Sequence, residues 1–221
     1  MLLLVNVGFA VFIALGLNKS SLPDKEPRVL YWLNRANLLS TMPGEPDEIV
    51  FLGDSLTQNF EVAELFQNLK VKNRGINGDT ILGVSRRLEQ VTSHKPRKIF
   101  IEIGINDLLQ GHSVRNVLAG YRSIVHHIRQ ESPATEIYIQ SLLPTSWNIY
   151  GTNEPVLGRI VKLNTALSAL ARKNGATYIN LYDRFLAKDR LNPDYDSGDG
   201  LHLNGQGYLM WKSIVEKQVN E

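Results

Sequence analysis

The stretch EIVFLGDSLTQNF, residues 48–60, decides how the rest of the chain is read. Its first half is a short apolar run of strand length, closed by a glycine that lets the backbone leave the strand sharply. The polar residues that follow suit the first turn of a helix. A strand, a tight turn and a helix make up the unit from which parallel sheets are assembled. The run also poses a chemical question. Ser55 falls where the helix would start, so its hydroxyl can stand exposed beside backbone N–H groups that favour developing negative charge. The plainer reading is that Asp54 or Ser55 only caps the helix.

Working outward, the same alternation continues. Residues 69–75, 98–104, 136–144 and 177–182 are further strand candidates, the middle two strongly apolar. Between them lie helical stretches at 62–69, 81–91, 114–129 and 156–173, with a final one at about 205–219. In the second, Ile81, Val84, Leu88 and Val91 share one face; in the fourth, Val156, Ile160, Leu163, Leu167 and Leu170 do. Strands alternating with helices argue a parallel sheet covered on both faces. Right-handed crossovers then collect every loop that follows a strand on one edge, where open α/β sheets bind ligands.

Each of those loops carries polar residues suited to acyl transfer. NRGINGDT (73–80) suggests a tight turn with inward-facing N–H groups, in which Gly78 has no side chain to block an oxygen. In IEIGINDLL (101–109), Asn106 follows an apolar strand and can donate its amide hydrogen to an oxyanion. Asp107 is expected to tether neighbouring loops. In DGLHLNGQGY (199–208), Asp199 can orient one ring nitrogen of His202 while the other takes the proton of Ser55. Each site also has a structural explanation: Asx turns, or capping by Asp79, Thr80 and Asn204. Together, however, they supply a nucleophile, a base, an orienter and at least two oxyanion donors, which is the full requirement for ester hydrolysis.

These blocks resemble the SGNH (GDSL) hydrolase family over roughly residues 47–218, most closely its subgroup similar to platelet-activating-factor acetylhydrolase subunits and bacterial carbohydrate or acyl esterases. GDSL at 53–56 is similar to the nucleophile block, which implies Ser55 as nucleophile. The resemblance implies Ser55, Gly78 and Asn106 as oxyanion donors, and Asp199 and His202 as the remainder of the triad. It also implies a three-layer α/β/α, flavodoxin-like fold with about five parallel strands. The G-x-S-x-G elbow of ordinary α/β-hydrolases is absent.

Composition narrows the rest. The 221 residues suit one main domain, expected at 47–221. With 24 Lys plus Arg against 22 Asp plus Glu, the net charge of +2 gives no reason to expect a nucleic-acid partner. There are no cysteines, which excludes thiolate nucleophiles and lipoprotein anchoring. No histidine–carboxylate spacing suggests a metal, and no cofactor is expected. Residues 1–17 are apolar and uncharged, which reads as a signal or membrane-anchor segment and implies export, with a helix packed on the domain as the alternative. Residues 18–46 read as a linker followed by an outer helix over 31–42. Trp147 and Tyr150, in the loop 143–155, could stack on a sugar, line an acyl slot or simply pack the loop. The expected activity is hydrolysis of short-chain, acetyl-type esters on carbohydrate. The alternatives are a lipid or lysophospholipid esterase or thioesterase, and a non-catalytic binding module. Oligomeric state is not legible.

Overall fold

The computed structural model describes residues 27–45 and 47–221. The apolar segment 1–17 lies outside the described residues. Residues 44–221 form one compact unit, preceded by a separate one. In that earlier unit the described element is α1 (Pro27–Thr41), which starts four residues before the expected Tyr31. Proline suits a first helical position, because its fixed φ is already helical and its missing N–H would lack an intrahelical partner there. The helix stops before Pro43. Among the described residues, no helix is long and apolar enough to cross a membrane.

The main unit alternates as expected. Its elements run β1 (Ile49–Gly53), α2 (Ser55–Gln58), α3 (Val62–Leu65), β2 (Val71–Gly75), α4 (Ile81–Arg87), α5 (Glu89–Thr92) and β3 (Lys98–Glu102). They continue with α6 (Ile105–Leu109), α7 (Val114–Glu131), β4 (Glu136–Gln140), α8 (Leu157–Lys173), β5 (Thr177–Ile179) and α9 (Tyr182–Phe185). A small antiparallel hairpin, β6 (Leu186–Ala187) and β7 (Arg190–Leu191), precedes α10 (Gly205–Asn220). The five main strands are all parallel, in the order β2-β1-β3-β4-β5. The order reverses between β1 and β3, which opens a crevice at their C-terminal ends.

The three central strands, β1, β3 and β4, are largely buried on both faces, so they alternate between two apolar layers rather than between core and water. Val50, Leu52, Ile99, Ile101 and Ile139 face Val84, Tyr121, Ile124, Ile160 and Leu163 on one side. Ile49, Phe51, Phe100 and Tyr138 face Phe60, Trp211 and Val215 on the other. On this second face Phe51, Phe100 and Tyr138 stack across three strands, with ring centroids 4.7 and 4.4 Å apart.

The strands are shorter than the apolar runs suggest. Residues 103–104 leave the sheet because Gly104, at φ +117°, turns the chain into α6. Asn106 therefore sits on a one-turn helix, not in an open loop. The helix expected over 81–91 is divided at Leu88, which keeps right-handed helical angles and lets α5 continue beyond it.

Candidate active site

The site grows from the turn after β1. A Cβ on Gly53 would lie 2.2 Å from both the Glu102 carbonyl oxygen and the Thr57 hydroxyl, so only glycine lets α2 fold back this tightly. The two readings of GDSL divide between neighbours: Asp54 is the N-cap, its Oδ1 accepting the Leu56 N–H at 3.0 Å, and Ser55 opens the helix. Capping is thus done by the residue before the hydroxyl, which leaves Ser55 for other work.

The segment after β7 brings the partner. Ser55 Oγ lies 2.9 Å from His202 Nε2, although 147 residues separate them. His202 Nδ1 lies 2.6 Å from Asp199 Oδ2. The other carboxylate oxygen, Oδ1, accepts the backbone N–H groups of Leu201 and His202 at 2.9 and 2.8 Å. Burial alone would push the Asp199 carboxyl up, but the hydrogen bonds from the His202 ring and these two N–H groups outweigh it and hold the group below its ordinary value. An ionised Asp199 accepts from Nδ1–H, which leaves Nε2 with its lone pair toward Ser55. Asn204 caps α10, accepting the Gly207 N–H at 3.0 Å.

The expected oxyanion donors lie in the turn after β2 and on the short helix α6. Asn77 donates its N–H to Gln58 Oε1 at 2.8 Å, and Asp79 donates to the Ile76 carbonyl at 3.0 Å. Gly78 between them is exposed, with φ +73°, and a Cβ there would meet nothing within 4 Å. Asn106 Nδ2 donates to the Asp79 carbonyl at 2.9 Å and reaches Asp54 Oδ2 at a longer 3.4 Å. Its amide thus touches the residue before Ser55 and the residue after Gly78. The structure therefore joins Ser55, His202 and Asp199 directly, and ties Asn106 to Asp54 and Asp79, the chain neighbours of Ser55 and Gly78. Asp107 does tether, its Oδ2 accepting the Ile81 N–H at 3.0 Å.

Two buried groups beneath this spot were missed by sequence reasoning. Arg87 Nε donates to Asp79 Oδ2 at 2.8 Å, and its Nη2 donates to the Gly53 carbonyl at 3.1 Å. The guanidinium therefore joins the nucleophile strand to the oxyanion turn. A signal existed: Arg87 falls on the apolar face that carries Val84 and Val91, where a charge needs a buried partner. The other is Glu102. It lies opposite Gly53 in the sheet register, fully buried, and among the described residues neither carboxyl oxygen has a hydrogen-bond partner.

Burial, aided by the charge of Asp54, pushes Glu102 well above its ordinary value. Asp54 is itself pushed up to about 7, again chiefly by burial. A carboxyl raised in the folded state binds its proton more tightly than in the unfolded chain. Its contribution to stability is therefore full at low pH and declines as pH rises from the unfolded value, about 4, toward the folded one. The slope is at most about 1.4 kcal/mol per pH unit for each group. Glu102→Gln should flatten the decline of melting temperature between about pH 5 and 8. Superimposable wild-type and variant profiles would show that Glu102 is not the buried acid described.

The chain is similar to known proteins over most of its length. A sequence model of the GDSL-like Lipase/Acylhydrolase family matches residues 51–210. The alpha2 subunit of platelet-activating factor acetylhydrolase IB from Rattus norvegicus is 30% identical over 186 residues, covering 80% of this chain and 78% of the relative. Among solved structures, a GDSL-like lipase from Bacteroides thetaiotaomicron superimposes with a TM-score of 0.75 at 20% identity, over 86% of this chain and 97% of that one. A catalytic mutant of an acetylxylan esterase from Geobacillus stearothermophilus gives 0.65 at 19% identity, over 81% and 96%. At those identities the structures speak for the fold; the family match reaches from the nucleophile strand into the last helix. The chain belongs to the GDSL-like lipase/acylhydrolase family, and it is a carboxylic ester hydrolase of the serine type.

Proposed function

We propose that this hydrolase removes short acyl groups, acetyl foremost, from hydroxyl groups of carbohydrates through an acyl-Ser55 intermediate. The observation that carries the mechanism is the continuous chain from Ser55 Oγ through the His202 ring to Asp199, at 2.9 and 2.6 Å. His202 takes the Ser55 proton as the oxygen attacks the ester carbonyl. The negative charge that forms is met by the N–H groups of Ser55 and Gly78 and by the Asn106 amide. Collapse expels the alcohol, which His202 protonates; water activated by the same ring then releases the acid. Asp199 holds the ring in the tautomer that both steps need.

The choice of substrate has weaker but physical support. The curated relatives carry acetylhydrolase in their name, which supports a small acyl group. The alcohol departs on the His202 side. There, Trp147 and the exposed Tyr150 form an aromatic corner, ring centroids 6.1 Å apart at 60°, and Trp147 touches Asp199. Such a corner suits the apolar face of a sugar ring. We further infer that the uncharged segment 1–17 directs the domain to or across a membrane; fractionation of the full chain that finds it soluble and unprocessed in the cytosol overturns this.

The substrate reading is tested with a panel of acetylated xylo-oligosaccharides, p-nitrophenyl esters of two to twelve carbons, and platelet-activating factor with long-chain lysolipids. The reading expects kcat/KM to be highest for acetyl esters of sugars and to fall as the acyl chain lengthens. Preference for the phospholipid substrates would replace the carbohydrate assignment with a lipid one.

A further inference from the structure

The loop from β4 to α8 carries Thr145, Ser146, Trp147 and Tyr150, and it does more than border the opening. It is closed on itself: Val156 donates its N–H to the Trp147 carbonyl at 3.1 Å, and Asn148 bridges Pro155. One end is fixed to α6, the helix of Asn106, through the Tyr150 N–H and the Leu109 carbonyl at 2.7 Å. The other end grips the turn that holds the base. Trp147 Nε1 donates to the Asp199 carbonyl at 2.6 Å, and Thr145 Oγ1 donates to the Gly200 carbonyl at 2.6 Å. The Ser146 N–H reaches the same Gly200 oxygen at 3.2 Å. The Thr145 hydroxyl in turn accepts the Trp147 N–H at 3.2 Å, so donor and acceptor are both used. The approach is close enough that Gly200, at φ +78°, would place a Cβ 2.2 Å from Ser146 Oγ.

Two consecutive carbonyls, those of Asp199 and Gly200, are therefore held by side chains from a segment more than fifty residues earlier. The Asp199 carboxylate is already committed within its own turn, to the Leu201 and His202 N–H groups and the His202 ring. That turn is internally rigid, and its placement relative to Ser55 depends on what it is fastened to. We propose that the β4–α8 loop is a brace between the oxyanion helix and the base turn, with Trp147 and Thr145 acting as positioning residues for the Asp199–His202 pair. The polar edge of the indole is thus committed to the protein, a role separate from any its ring face has toward a sugar.

The inference rests on the Ser55–His202–Asp199 reading and is tested on a substrate too small to need the aromatic corner. Trp147→Phe keeps an aromatic ring and removes the N–H. With p-nitrophenyl acetate it should lower kcat about 10- to 100-fold and leave KM within about 2-fold, because misplacing a base by a fraction of an ångström slows the step without weakening binding. Thr145→Val should do the same, and Thr145→Ser, which restores the hydroxyl, should recover most of the rate. If Trp147→Phe does not fold, the Thr145 pair decides. Unchanged kcat in Trp147→Phe, or a change confined to KM for large sugar esters, overturns the brace. Equal loss in Thr145→Ser and Thr145→Val does so too. Failure of the underlying triad reading looks different: wild type would then hydrolyse esters no faster than Ser55→Ala.

Discussion

Ser55→Ala is expected to lower kcat for acetyl esters by about 10⁶-fold, the scale at which other serine hydrolases lose activity when the nucleophile is removed. The reason is chemical: no acyl-enzyme can form, and what survives is the contribution of the oxyanion donors and of binding. Asn106→Ala should cost far less, about 10²- to 10³-fold in kcat, or roughly 3–4 kcal/mol of barrier. The graded pair is informative because Asn106 touches both the Asp79 carbonyl and Asp54. A purely structural asparagine would lower melting temperature without a selective loss of kcat. Steady-state kinetics with melting temperatures measured on both variants separate the cases. Equal activity in Ser55→Ala and wild type would remove the nucleophile assignment.

Arg87→Met is expected to lower unfolding free energy by about 3–5 kcal/mol, because it removes the arginine from an ion pair whose two side chains are almost wholly buried. The Gly53 carbonyl also loses the guanidinium as a donor and keeps the Ile76 N–H at 3.1 Å, so one of the ties between β1 and the oxyanion turn is removed. Replacing both partners with apolar or neutral groups behaves differently, since neither then leaves a charge behind. The double variant Arg87→Met with Asp79→Asn should therefore be less destabilised than the sum of the two single variants, by 1 kcal/mol or more. Urea unfolding of the four proteins measures the coupling. A loss below about 1 kcal/mol in the single variant, or simple additivity, would show that the pair is not a structural link.

How much of this could be read from the chain follows from the range of the forces involved. The strand, glycine and helix of residues 48–60 were legible because turn chemistry and apolar runs are local. So were the apolar faces of α7 and α8, and the cap formed by Asn204. The site was legible as a set of strand ends, since a parallel sheet collects them on one edge whatever lies between. What escaped depends on meetings across distance. Arg87 binds the carbonyl of Gly53, 34 residues away, and nothing in the helix period says so. Glu102 sits inside an apolar run and reads as a lapse in the pattern until the register sets it opposite Gly53. The three readings of Trp147, as sugar platform, acyl-slot lining or loop packing, all leave out its partner, because the Asp199 carbonyl is a backbone atom 52 residues on, which no motif records. The hairpin at 186–191 escaped for another reason: strands of two residues are too short to show alternation.

The proposed chemistry depends on one property: that His202 activates the Ser55 hydroxyl to attack an acyl carbon. Labelling tests it without knowledge of the natural substrate. The full chain is treated with a fluorophosphonate, which reacts only with an activated serine, and the modified peptide is mapped by mass spectrometry. The expected result is stoichiometric labelling of Ser55, absent in Ser55→Ala and strongly slowed in His202→Ala. Labelling at another residue, or a folded protein that hydrolyses esters while Ser55 stays unmodified, would contradict it.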